Sequence, residues 1–210
     1  GYRDEPQQQG GYLSNDVYRR DEETWLIAQN EKPGFIETIT RDYNNDQYGG
    51  LAALSVWIYE YLSPDAKRFG LITLLGAFFT AAGIPFLYKA IQQKIPKDEK
   101  AYRNLANITA WIYVLYPDSI VFGGSALREP FLNGILAIAF WALVTLKDHR
   151  KKSALVLIIC LLACLPLSVF AGGALLCCIL LWIWGEFLIP SSKKWLIGGI
   201  LFIAFSLIVV

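Results

Sequence analysis

Long apolar runs separated by short charged segments dominate this chain after residue 68, and they limit the possible folds more than any other feature. Six runs approach the ~20 residues that a helix needs to cross a bilayer. These runs are 69–90, 103–117, 129–146, 154–171, 173–190 and 195–210. Composition agrees, since 55% of the 210 residues are hydrophobic and the mean hydropathy is +0.39. The sequence therefore predicts an all-α fold, a polytopic transmembrane helix bundle.

The loops between these runs form two sets that alternate along the chain. One set contains 11 Lys and Arg and comprises 89–103, 147–152 and 193–194. The other set contains 3 and comprises 63–68, 118–128 and 171–173. Because Lys and Arg concentrate in cytoplasmic loops, the first set is predicted to be cytoplasmic. The second set and residues 1–68 are then predicted to face outward from a multi-pass plasma-membrane protein.

Acidic residues are concentrated towards the N-terminus, where 12 of the 18 Asp and Glu lie at or before Asp65. The stretch DEETWLIAQN (21–30) predicts a short amphipathic helix, since early acids favour a helix N-terminus. The chain has no methionine and its last residues are an apolar run, so we expect it to be part of a longer protein. These features predict two parts: an outer loop with juxtamembrane helices at 1–68, and a transmembrane bundle at 69–210.

The stretch YGGLAALSVWIYEYLSPD (48–65) has too short an apolar part to cross a bilayer, and Glu60 interrupts it. Its aromatic residues are of the kind that anchor helices at the membrane surface. We therefore predict a helix that lies in the interface, with Trp57, Tyr59 and Tyr61 as belt residues.

Cysteine and histidine give no recognisable metal or nucleophile site. All four cysteines lie in apolar runs and form no CxxC pair; they are Cys160, Cys164, Cys177 and Cys178. The one histidine, His149, lies in the basic segment KDHRKK and is predicted to be a solvated loop residue. The formal net charge of +1 gives no indication of a nucleic-acid partner.

Two polar clusters on the predicted outer side could carry chemistry. The first contains Asp21 and Glu22, with Asp46 further along in RDYNNDQYGG. The second contains Arg128 and Glu129 at the outer mouth of a predicted span. Ionisable groups in such a position are costly unless they are paired, hydrated or used.

Each of these residues also has a purely structural interpretation. Asp21 could simply be an acidic residue at a helix N-terminus, and Asp46 could stabilise a turn. Arg128 and Glu129 could form an interfacial anchor, or could begin a helix with Glu129 and Pro130 in its first turn.

Three motifs in order along the chain resemble one known plan. They are DEETWLIAQ (21–29), YGGLAALSVWIYEYLSPDAKR (48–68) and GGSALREPF (123–131). This order resembles the lipid-linked-sugar glycosyltransferases of the C-type membrane superfold (GT-C), the group of protein O-mannosyltransferases and aminoarabinose transferases. The chain differs from that pattern at Gly49 and Gly50, where prolines are usual in the family.

The resemblance implies transfer of a sugar from a polyprenyl-phosphate donor to a hydroxyl or amine on the outer side of the membrane. By position in the motifs, Asp21 would be the general base and Glu22 its neighbour. Arg128 would bind the lipid phosphate, because a guanidinium favours bidentate phosphate contact. Glu129 and Tyr48 would belong to the same set of substrate-binding residues.

The resemblance also leaves a metal-dependent variant open. Some relatives use a divalent cation held by loop acids. Here Asp21 and Asp46 could together hold Mg or Mn, since both ions prefer oxygen ligands. Asp46 would otherwise belong to the substrate-binding residues.

Two other functions remain possible on the sequence alone. A non-catalytic membrane subunit or scaffold could keep the same fold, and the DEE run would then be an ordinary helix start. A transporter or channel would call for ionisable residues within the spans. Apart from Lys89, Arg103 and Glu129 at the span ends, the six predicted spans contain one charged residue, Glu186 near a predicted cytoplasmic end, which weakens the case for that class.

Overall fold

The computed structural model describes residues 15–34, 36–38, 40, 49–94, 100–115 and 126–187. Regular structure in this part of the chain is entirely helical, which confirms the predicted all-α class. The helices are α1 (Asn15–Asn30), α2 (Gly49–Trp57), α3 (Gly70–Lys94), α4 (Lys100–Leu115), α5 (Glu129–Thr145), α6 (Arg150–Leu167) and α7 (Val169–Phe187). A π-helical segment, Ile58–Leu62, continues α2 without a break.

Helix α1 contains the predicted amphipathic stretch and is stabilised at both ends by local contacts. In its first turn Asp16 accepts hydrogen bonds from Arg19 (3.1 Å) and Arg20 (2.8 Å), at the spacings where helix side chains meet. At its end the chain turns through Lys32, whose φ of 45° is left-handed. The backbone N–H of Lys32 reaches back to the Ile27 carbonyl at 3.3 Å, as expected for a helix C-terminus.

Helix α2 is largely buried against other helices, whereas the end of the π-helical segment is exposed at Tyr61 and Leu62. Most of α2 is inaccessible, and it packs on both α1 and α6. The exposed aromatic rings of Trp57 and Tyr61 pack on each other, with ring centroids 5.9 Å apart. Tyr59 is fully buried, so its predicted role as a belt residue is wrong. The physical reason is that its hydroxyl donates a hydrogen bond to the Asp21 carboxylate inside the protein.

Helices α3, α5 and α6 form a bundle in which α3 packs most extensively on α5. Small residues allow this close approach, because a Cβ added at Gly134 would overlap the Phe79 carbonyl group. A hydrogen bond from the Thr80 hydroxyl to the Pro130 carbonyl (2.8 Å) joins the same two helices. Close backbone contact through small residues is typical of helices that pack in lipid.

One helix in the described residues is long and apolar enough to span a membrane: Gly70–Gln93, within α3. Shorter apolar helices occur at Asn104–Leu115, Glu129–Thr145 and Val169–Gly185. The predicted span at 195–210 lies outside the described residues.

The break between α6 and α7 lies at Ser168, whereas the hydropathy pattern placed it at 172. Ser168 ends α6 through its N–H, which donates to the Cys164 carbonyl at 2.8 Å. Its hydroxyl then accepts a hydrogen bond from the Ala171 N–H at 3.2 Å. The backbone of Ser168 is extended (φ −163°, ψ 115°), which is the usual conformation of an N-cap residue, so α6 ends and α7 begins there.

The chain divides into two compact units, Gly1–Gly172 and Gly173–Val210. The first contains α1 to α6, and the described part of the second is the remainder of α7. The predicted functional division into 1–68 and 69–210 stays a prediction.

Candidate functional site

The three consecutive acids of α1 have three different environments. The Asp21 side chain is 2% exposed, that of Glu22 is 42% exposed, and Glu23 is exposed to solvent. Successive residues of a helix point in different directions, so only one of the three can face the packed side. The sequence run DEE therefore supplies one buried carboxylate, one at the boundary and one in solvent.

Asp21 is held by two side chains from elsewhere in the chain. Its Oδ1 accepts a hydrogen bond from the hydroxyl of Tyr59. Its Oδ2 lies 3.3 Å from the ammonium nitrogen of Lys67. A buried carboxylate is tolerated only when hydrogen bonds and an opposite charge replace its hydration. This arrangement excludes the interpretation of Asp21 as merely a solvated acid of a helix start.

Lys67 joins the two acids. Its ammonium nitrogen donates to Glu22 Oε2 at 2.5 Å and lies 5.0 Å from the centre of the Tyr18 ring. Partial burial lowers the pKa of Lys67, but the hydrogen bonds and charges of Glu22 and Asp21 outweigh that effect, so the pKa is raised overall above 10.5. The lysine is therefore a stable cation shared between two carboxylates at neutral pH.

Backbone geometry after α2 brings Lys67 to this position. The Ser63 N–H closes the π-helical segment on the Ile58 carbonyl at 3.0 Å. The buried Ser63 hydroxyl donates to the Ala66 carbonyl at 2.6 Å, which fixes a tight turn. Arg68 closes the turn from outside with two bonds to Asp65, at 2.7 and 3.2 Å. π-Helical segments occur often at functional sites, because the extra residue reorients the side chains around it.

The ring of Tyr59 is oriented by an aromatic neighbour on α1. Trp25 packs against it edge to face, with ring centroids 5.2 Å apart. Trp25 and Asp21 are one helical turn apart, so α1 contacts both the ring and the hydroxyl of the same tyrosine. The position of the hydroxyl is thus determined by packing as well as by its hydrogen bond.

An apolar cavity of about 360 Å³ lies between α2, α3, α5 and α6. Its walls include Leu54 of α2, Phe79 of α3, Phe131 of α5 and Pro166 of α6. Leu54 and Tyr59 are five residues apart in one continuous helical segment, so the cavity and the polar cluster share an element. Among the described residues, no charged side chain lines this space.

Arg128 and Glu129 lie at the start of α5. Glu129 is in the first turn and is followed by Pro130, which matches the predicted helix start. The Arg128 Nε and Glu129 Oε1 are 3.5 Å apart, and both side chains are partly exposed. The second oxygen, Glu129 Oε2, is buried and has no hydrogen-bond partner among the described residues.

The other predicted site residues, Asp46 and Tyr48, lie outside the described residues. The predicted metal pairing of Asp21 with Asp46 therefore stays a prediction. Within the part of the chain that the structure describes, no group of three or more His, Cys, Asp or Glu side chains could hold a metal ion.

Sequence reasoning missed two residues of this site, Tyr59 and Lys67. Tyr59 lies in a row of aromatic residues that matches an interfacial belt, and nothing in that row distinguishes it from Tyr61. Lys67 lies in the turn SPDAKR and looks like a solvated loop residue.

Comparison of the chain with protein-family models, with curated proteins and with solved structures finds no match.

Proposed function

We propose that this chain is part of a multi-pass membrane glycosyltransferase. It would move a sugar from a polyprenyl-phosphate donor to an acceptor on the outer side of the plasma membrane. The observation that carries the proposal is the buried carboxylate of Asp21, held between Tyr59 and Lys67. The order of motifs that resembles the GT-C glycosyltransferases supports the same assignment.

Exposed apolar helix faces support insertion of several helices in the membrane. On α4, four large side chains spaced along one face are each 51–63% exposed: Ile108, Trp111, Ile112 and Leu115. On a water-soluble protein, a continuous patch of this kind would be an aggregation or binding surface. In a bilayer it is the lipid-facing side of a span, and the alternation of basic loops sets the orientation.

In the proposed reaction, the carboxylate of Asp21 removes the proton of the acceptor hydroxyl or amine. The acceptor atom forms a bond to the anomeric carbon while the bond from that carbon to the phosphate oxygen breaks. Polyprenyl phosphate leaves with the bonding electron pair, and the configuration at the anomeric carbon is inverted. General-base assistance of this kind contributes typically 10²–10⁴-fold to rate.

The neighbours of Asp21 have defined roles in this scheme. Tyr59 holds one carboxylate oxygen, so the other is directed at Lys67 and, in the reaction, at the acceptor. Glu22 retains Lys67 when the acceptor takes its place beside Asp21, because the lysine is already bonded to Glu22. Arg128 exchanges its contact with Glu129 for the donor phosphate and stabilises the leaving group.

The apolar cavity supports a lipid-linked donor over a soluble one. Its lining is hydrocarbon contributed by four helices, which suits part of a polyprenyl chain and not a nucleotide. A soluble sugar nucleotide would call for cationic or hydrogen-bonding groups around its diphosphate.

One observation favours a second candidate function, a non-catalytic membrane subunit or scaffold. Asp21 is almost completely buried, and both of its oxygens have partners in the absence of substrate. A structural ion pair between α1 and the turn after α2 would have the same appearance. The two functions differ in what a neutral, isosteric side chain at this position does to activity.

The test compares Asp21→Asn with Glu23→Gln, a matched change at the exposed acid of the same run. Transfer of labelled sugar from a polyprenyl-phosphate donor is measured in membranes that contain the full protein, and thermal unfolding is followed in detergent. We expect transfer to fall at least about 100-fold for Asp21→Asn and to be unchanged for Glu23→Gln. Full transfer by a folded Asp21→Asn protein would eliminate Asp21 as the base and favour the scaffold.

A further inference from the structure

We propose that the basic turn between α5 and α6 (residues 147–152), with the apolar face of α6 that follows it, binds an anionic phospholipid of the cytoplasmic leaflet. This inference rests on the membrane insertion in the proposed function. It does not depend on sugar transfer, because no residue of the turn belongs to the candidate site.

The basic turn is a concentrated and accessible cluster of positive charge. All six of its residues, KDHRKK, are exposed, and they contain four Lys or Arg and one Asp. Lys151 and Lys152 make no ion pair with a carboxylate among the described residues. Such a cluster directly next to a membrane helix attracts anionic headgroups.

The position of these cations in α6 makes a negatively charged neighbour more favourable still. Arg150, Lys151 and Lys152 occupy the first turn of the helix, and the preceding residue, His149, provides no side-chain cap. The N-terminal turn of a helix carries partial positive charge and normally favours acidic residues. Lys151 and Lys152 are therefore unfavourably placed next to the helix dipole, and an anion beside them would remove that cost.

Buried hydroxyl groups hold the turn in one shape. The hydroxyls of Thr145 and Ser153, on either side of it, share a hydrogen bond of 2.9 Å. The His149 N–H donates to the Thr145 carbonyl, and the Ser153 N–H donates to the His149 carbonyl, both at 2.9 Å. The ends of the turn are therefore fixed, and little backbone ordering is needed when a headgroup binds.

An exposed apolar stripe begins immediately after the basic turn. It consists of four residues at helical spacing, each 56–62% exposed: Leu155, Ile158, Ile159 and Leu162. From Lys152 to Leu162 the helix rises roughly 15 Å, about half of the ~30 Å hydrocarbon core of a bilayer. The stripe thus has about the length of one leaflet.

The basic turn and the apolar stripe together indicate which kind of molecule binds there. A phospholipid has an anionic phosphate for the turn and a hydrocarbon tail for the stripe, and the two are covalently joined in the same order as on α6. Free phosphate would leave the stripe without a partner. We therefore assign the surface to an anionic phospholipid such as phosphatidylglycerol, in preference to a zwitterionic one.

The test measures which lipids stay with the full protein purified from mixed micelles of phosphatidylglycerol and phosphatidylcholine in equal parts. We expect the wild type to be enriched in phosphatidylglycerol. In Lys151→Gln/Lys152→Gln the enrichment should fall about fivefold for each cation removed. Lys151→Arg/Lys152→Arg keeps the charge and should keep the enrichment, as should Lys32→Gln, which removes an exposed lysine near α1.

Two results would overturn the proposal. One is equal enrichment in the wild type and in the folded Lys151→Gln/Lys152→Gln protein. The other is displacement of phosphatidylglycerol by inorganic phosphate at constant ionic strength, which would indicate a site for free phosphate. Asp21→Asn is expected to keep the lipid enrichment while it loses sugar transfer, so failure of this inference and failure of the proposed function are distinguishable.

Discussion

The N-terminal section, α1 with α2 and its π-helical continuation, and the bundle of α3, α5 and α6 are stabilised by different interactions. The N-terminal section buries charge, since Asp21 is enclosed by a tyrosine hydroxyl and a lysine from residues distant in sequence. The bundle depends on close helix contact at a glycine, because Gly134 lies directly against the backbone of α3. The N-terminal section should therefore be sensitive to changes of polarity at constant volume, and the bundle to changes of volume at constant polarity.

The largest effect on stability is expected in the bundle. Gly134→Ala adds a single methyl group, but that group would overlap the Phe79 carbonyl, so α3 and α5 must separate. We expect the free energy of unfolding to fall by about 3 kcal/mol, since overpacking of this kind cannot relax through a flexible side chain. Thermal unfolding in detergent measures the loss.

The matched control in this experiment is Gly173→Ala. A Cβ added at Gly173 would meet no heavy atom within 4 Å, and the residue lies inside helix α7. Alanine is the better helix former, so stability should stay the same or rise by up to about 1 kcal/mol. Equal destabilisation by both variants would mean that close packing of α5 on α3 is not what holds the bundle.

The next largest effect is expected in the N-terminal section from Tyr59→Phe. The change keeps the ring, and with it the contact with Trp25, but removes the hydroxyl that donates to Asp21. Loss of a hydrogen bond to a buried charge should cost about 2 kcal/mol. Tyr61→Phe removes the hydroxyl of an exposed tyrosine and should leave the unfolding temperature unchanged. If Asp21 is the proposed base, sugar transfer should decrease only in Tyr59→Phe, because Asp21 is then less firmly positioned.

Sequence reasoning was most successful where periodicity and local chemistry decide the structure. It predicted the all-α class, the helix that carries Asp21 and the helix start at Glu129, because each depends on residues close together in the chain. It could not find Tyr59 and Lys67 as partners of Asp21, which lie 38 and 46 residues away in sequence. Contacts of that kind depend on how α1 packs on α2, and no local pattern of residues encodes them.

A smaller effect is expected from the charge of Lys67, and it should depend on pH. Because its pKa is raised in the folded protein, the stabilisation by Lys67 is fully present below the unfolded value near 10.5. It is lost as the pH rises through the higher folded-state value. The difference in unfolding temperature between the wild type and Lys67→Gln should therefore be constant from neutral pH to about pH 10 and narrow above it. A difference in unfolding temperature that narrows as the pH falls from about 10 to neutral would contradict this account of the lysine.

The smallest effect on stability is expected at the Arg128–Glu129 pair, where the ions are adjacent in sequence and partly exposed. Arg128→Gln should change the free energy of unfolding by no more than about 0.5 kcal/mol, because ion pairs of this kind are screened by water. If Arg128 binds the donor phosphate, the same change should raise the KM for the polyprenyl-phosphate donor at least about tenfold, and Arg128→Lys should restore part of the loss. An unchanged KM would leave Arg128 as an interfacial anchor. The two ion pairs thus differ in what a loss of the proposed transfer would mean. At Asp21 such a loss has to be distinguished from a loss of folding, whereas at Arg128 it would point to the proposed donor site, because little stability is expected to change there.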